Sequence, residues 1–186
     1  MGFQGPSSKR HTTTALDGGL LDRITTMAEI PHPRTFETAY FGRVTCSEGS
    51  VIQFAQGLPG FEQETRFITI GADSCKPLIF VQSVSTRALC FVTLPVLAIA
   101  PDYRLDLQPE DLEALGLPVD ARPEIGPELV CLAVVSVNEN GPPTANLLAP
   151  VVIHLPNQKG VQVVPSDSRW PLRHPLTGTT EAPACS

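Results

Sequence analysis

The sequence predicts a mainly β fold, a small β-barrel-like single domain with one short helix and disordered tails at both ends. Three observations carry this reading. Short runs rich in Val, Ile, Phe and Thr recur between Gly and Pro punctuation across residues 36–176. A single segment, 109–116, combines helix start and stop signals. Residues 1–35 and 177–186 are polar, with no sustained periodicity.

Taken in order, the expected strands are 40–46, 50–54, 66–70, 78–84, 89–94, 129–137, 147–155 and 160–164. Their length and spacing suit a sandwich or a small barrel. Strand 129–137 is apolar on both faces, which marks it as a central strand. Gly57-Leu58-Pro59-Gly60 reads as a turn, with proline fixing one φ and glycines free to take positive values. The helix begins at Pro109, where a missing amide costs nothing. Glu110 and Asp111 complement its positive end, Leu112 and Leu115 form its inner face, and Gly116 stops it. In the N-terminal tail, Leu16, Leu20, Leu21 and Ile24 fit one short amphipathic helix, weakened by Gly18 and Gly19.

Composition places the chain among globular proteins: 42% hydrophobic and 17% charged residues are too apolar and too uncharged for a disordered chain. No run of ~18 apolar residues could cross a bilayer, and the start lacks a secretory leader. The five cysteines are scattered without C-x-x-C spacing, which points to reduced thiols and a cytoplasmic location.

Catalytic constellations fail one by one. His154 and His174 have no second histidine at ligand spacing, so no metal site is expected, and His154 reads as a surface or boundary residue. Cys90 or Cys131 could meet His154, but both lie in apolar strands where burial suppresses the thiolate. There is no G-x-S-x-G and no P-loop lysine. No catalytic residue and no cofactor are therefore expected. Acids are plentiful between 102 and 128, with eight carboxylates against Arg104 and Arg122. That excess equals the net charge of −6 of the whole chain. It reads as a solvated acidic face, or as an electrostatic docking surface for a basic protein, and it disfavours nucleic acid.

Three segments together resemble a known family. They are Gln56-Gly57-Leu58-Pro59-Gly60-Phe61-Glu62, then Thr144-Ala145-Asn146-Leu147-Leu148-Ala149-Pro150-Val151-Val152-Ile153, then Trp170-Pro171-Leu172-Arg173-His174-Pro175-Leu176. Gln82-Ser83-Val84 and Pro101-Asp102-Tyr103 lie between the first two. In this order they are similar to the bacterial flagellar assembly factor family, FliW, over residues 36–176. The resemblance implies a barrel-like fold, no enzymatic activity, and two protein partners: flagellin in the cytoplasm and the translational repressor CsrA. Free factor would sequester CsrA, and accumulating flagellin would release it, coupling flagellin level to its translation. The protein is expected to be monomeric by itself.

Against that background three candidate contact sets stand out. Glu110, Asp111 and Glu113 would steer a basic partner. Asn146, Leu147 and Leu148 form either a side-chain-capped turn at a strand entry or an apolar patch. Arg173 would anchor a contact if residues 171–176, held extended by prolines, lie along a partner; alternatively they strap the barrel. Two other classes remain in view, a hydrolase-like enzyme with a deep polar pocket and an oligomerisation domain with a self-complementary apolar patch.

Overall fold

The computed structural model describes residues 32–126, 128–138, 141–164 and 169–176. In chain order these form β1 (Pro33–Glu37), β2 (Arg43–Ser47), β3 (Ile52–Gln53), β4 (Arg66–Gly71), β5 (Ile79–Ser83), β6 (Cys90–Pro95), α1 (Val96–Ile99), α2 (Pro109–Leu115), β7 (Leu129–Asn138), β8 (Gly141–His154), β9 (Lys159–Gln162) and β10 (His174–Pro175). Seven strands close a barrel in the order β8-β7-β6-β5-β4-β3-β9, with β9 pairing back to β8. All its ladders are antiparallel except the parallel contact Gln53↔Lys159 between β3 and β9. Closure leaves no long unpaired sheet edge around the ring.

Alternation along the strands sorts apolar side chains into two cores. Ile52, Phe54, Phe67, Val81, Leu132 and Ile153 belong to the first, where Phe54 and Phe67 meet edge to face at 5.3 Å. Leu129, Cys131 and Ala133 of β7, with Ala145, Leu147 and Val152 of β8, belong to the second. That second cluster is completed by Val96, Ala100, Tyr103 and Leu115 from the chain between β6 and β7. Each Val, Leu, Ile or Phe side chain among them, fully buried, contributes ~1.5–3 kcal/mol. β7 is therefore apolar on both faces because one face joins each core. In a closed ring no strand is central, so the expectation of a central strand is replaced by a strand shared between two cores.

Other boundaries move for local reasons. The expected strand 40–46 starts instead at Arg43, because Thr38–Gly42 makes a turn with a Thr38 N–H to Gly42 C=O bond of 2.8 Å and φ of 63° at Gly42. Its partner β1 begins at Pro33, inside the segment expected to be tail. This hairpin forms its own two-stranded sheet and meets the barrel through Phe41 on Phe80, edge to face at 4.9 Å. The one-turn helix α1 follows β6 directly, without a helix signal in its sequence Val96-Leu97-Ala98-Ile99. The tail helix at 16–24 and residues 177–186 lie outside the described residues. The 57–60 turn is as read, with φ of 67° at Gly57 and 83° at Gly60.

Two side chains depart from expectation. His154 is not at the surface: it is 5% exposed, flanked in register by Leu129 and Lys159. Cys75, expected reduced, is buried and disulfide-bonded, whereas Cys46, Cys90 and Cys131 are free thiols. Spacing alone does not determine which sulfurs meet.

Candidate protein-binding surface

The acidic segment is the outer cover of the second core. Tyr103, Leu112 and Leu115 turn inward and are buried, while Asp102, Asp106, Glu110, Glu113, Asp120, Glu124 and Glu128 stay exposed. This division follows from the chain running over an apolar sheet face: within α2, Leu112 and Leu115, three residues apart, are drawn down and the charges remain in water.

Within it, α2 is held at both ends. Asp111 accepts the Gln108 N–H at 2.9 Å, the returning arm of a capping box. Partial burial, opposed by that bond, raises its carboxyl above the usual aspartate value. At the other end Gly116 takes φ of 69°, and Leu117 N–H returns to Leu112 C=O at 2.8 Å. Asn157 from the β8–β9 turn donates to the carbonyls of Leu115 and Gly116, both at 3.1 Å. Of the three predicted acids, Glu110 and Glu113 thus point to solvent, and Asp111 is engaged within the helix start. Beside α2 lies an open cleft of about 320 Å³, with Leu105, Leu107, Leu112 and Val119 along it and Asp106 and Arg122 at its rim. Val119 is 71% exposed there.

The 146–150 segment is a bulge in β8. Register runs Val134↔Asn146 and then Leu132↔Val151, so residues 147–150 have no opposite number on β7. Asn146 Oδ1 accepts the Ala149 N–H at 2.9 Å and closes the bulge. Leu147 drops into the second core, wholly buried, and Leu148 stays half-buried. Leu147 keeps both backbone groups occupied: its C=O accepts Tyr103 O–H at 3.2 Å and its N–H donates to Pro171 C=O at 3.2 Å.

The C-terminal segment crosses the same place. β10 pairs with β8 at His174↔Ala145 and Pro175↔Thr144. Trp170 lies on Tyr103 with ring centroids 4.9 Å apart, and the Arg169 guanidinium sits 5.9 Å from the Trp170 ring. Trp170 and Leu176 pack on the second core, leaving Leu172 and Arg173 exposed. Leu115 of α2, Leu147 of the bulge and Trp170 of the C-terminal segment therefore share one hydrophobic cluster. No local pattern marks the Tyr103–Trp170 pair as a contact; the rarity of these aromatics, one Trp and two Tyr in the chain, is the signal the sequence offers.

The thiols offer little nucleophilic character. Burial pushes Cys90 up to about 11 and Cys131 up to about 12, so both are protonated at neutral pH. Among the described residues no three His, Cys, Asp or Glu side chains gather as a metal site.

Comparison with known proteins converges on one family. The family model described as FliW protein matches residues 35–176. The flagellar assembly factor FliW of Syntrophus aciditrophicus is 32% identical over 146 residues, covering 77% of this chain and 88% of that protein. That of Bacillus subtilis is 30% identical over 141 residues, covering 76% and 95%. A crystal structure of the flagellar assembly factor FliW superposes with a TM-score of 0.67 at 29% identity, covering 80% of this chain and all of the other.

Proposed function

The chain belongs to the FliW family, and from that premise we propose that it is a cytoplasmic, non-enzymatic flagellar assembly factor that binds flagellin and antagonises the translational repressor CsrA. Binding to one partner at the expense of the other couples flagellin abundance to its own translation, with relative affinity and concentration setting the populations. The observation that carries the docking part is the exposed acid layer of 102–128. Glu110 and Glu113, the outward acids of α2 within it, are both exposed. A repressor that binds RNA presents basic surface, so the layer supplies complementary charge and long-range steering.

Glu110 and Glu113 are the steering residues in this reading, with exposed Arg173 and half-buried Leu148 as further contacts. Asp111 and Leu147 act indirectly, by fixing the helix start and the bulge. The test measures association of the purified full chain with CsrA and with flagellin across ionic strength. Glu110→Lys with Glu113→Lys should slow CsrA association about tenfold at low salt and flatten its salt dependence. Unchanged on-rates at low salt refute the steering role, and failure of the unmodified chain to bind either protein refutes the functional reading.

A further inference from the structure

The β8 edge beside the bulge is covered by a later segment of the same chain. β9 pairs with β8 only from Val151 to His154, so the N-terminal half of β8 needs another neighbour on that side. Residues 169–176 provide it. His174 and Pro175 lie in register with Ala145 and Thr144, Leu176 N–H donates to Pro143 C=O at 2.9 Å, and Pro171 C=O accepts Leu147 N–H at 3.2 Å. Trp170 rests on Tyr103, whose hydroxyl is fixed by Leu147 C=O.

This is the layout of a bound peptide. Main-chain pairing holds residues 174–176 along β8 after a turn at 172–173, one aromatic and one aliphatic side chain pack on the core, and Pro171, Leu172, Arg173 and Pro175 between them are exposed. The hold is also local. A few main-chain bonds and two apolar anchors fix the segment, and such elements open at much lower free energy than the whole domain.

We propose that the edge of β8 at residues 143–147 is a strand-addition site for an extended, cationic segment of a partner protein, with residues 169–176 as its resident competitor in cis. The chemistry of the incoming segment is read from the resident one. It has an aromatic ring for Tyr103, an aliphatic side chain six positions later where Leu176 sits, and a proline next to each anchor. It carries basic side chains like Arg169 and Arg173, which suit the adjacent acidic cover. Tethering gives the resident segment an effective concentration on the order of millimolar, so a partner binds only as tightly as that competition allows. This inference goes beyond steering by Glu110 and Glu113 and does not depend on it.

Trp170 is the only tryptophan, so its emission reports docking of the segment directly. The probe is an octapeptide with the sequence of residues 169–176 in which phenylalanine replaces tryptophan, titrated into the full chain. Displacement should shift Trp170 emission to the red and saturate. A fluorescein-labelled octapeptide of the native sequence should bind the full-length Trp170→Ala chain at least about tenfold tighter than the unmodified chain, because the cis competitor is weakened. A scrambled octapeptide of the same composition should do neither. The proposal is overturned if the Trp170→Ala chain keeps its far-ultraviolet dichroism yet binds no peptide, or if the scrambled peptide binds equally well. Should that variant not fold, hydrogen exchange in the unmodified chain decides. The Leu147 and Leu176 amides should exchange well ahead of the Val152 and Val81 amides, and simultaneous exchange overturns the proposal.

Discussion

At Glu64 two hydroxyls converge on one carboxylate: Ser83 donates to one oxygen at 2.6 Å and Thr86 donates to the other. These bonds hold the Glu64 carboxyl below its usual value of 4.5. A depressed folded-state pKa means the stabilisation is present above the unfolded value and is lost as pH falls through the folded one. Glu64→Gln should therefore lower stability near neutrality and converge with the unmodified chain at strongly acid pH, measured by urea unfolding from pH 7 downward; parallel curves would remove the assignment. Leu147 belongs to the same scale. Its side chain is wholly buried, so Leu147→Ala should cost ~2–5 kcal/mol in the same measurement. Read from sequence, Leu147 was a candidate contact on an apolar patch. It faces inward because the bulge re-aims alternate side chains, a consequence of register that no local residue pattern displays.

For the elements, α2 shows how completely a local signal can specify structure. Pro109 at the start, Leu112 and Leu115 inward, and Gly116 in the left-handed region all stand where the sequence places them. What remained open was Asp111. It accepts a backbone bond, yet burial disfavours its ionised form. Its raised folded-state pKa means that stability declines as pH rises through that value. Asp111→Asn keeps the acceptor without the charge and should match or exceed the unmodified melting temperature at pH 7. Asp111→Ala removes the bond and should cost about 1 kcal/mol. Equal melting temperatures for the two variants would show that the bond contributes nothing. In β9, Gly160 lies under Phe54, whose ring atoms would stand 2.4 Å to 2.9 Å from an added Cβ. Gly160→Ala should destabilise by ~1–3 kcal/mol, since the ring belongs to a packed core and must shift bodily.

In the whole molecule, the barrel and its acidic cover form a layered arrangement in which one strand, β7, is shared between two cores, one on each face. Much of this was legible. Strand runs, helix, turn and charge excess are properties of neighbouring residues, and the order of motifs identifies the family. The sequence by itself determined a β-rich domain with one capped helix and an acid-rich excursion between two strands. Only the tertiary structure decided that the excursion covers the outer face of β7 and β8, that β9 closes the ring, and that His154 is buried. It also decided that α2, the bulge and the C-terminal segment meet at Tyr103 and Trp170. The reason is physical: helix and turn signals arise from interactions within a few residues, whereas strand partners and core neighbours are separated by tens of residues. Which apolar faces meet is set by closing the whole sheet at once, a condition that no short window of sequence contains.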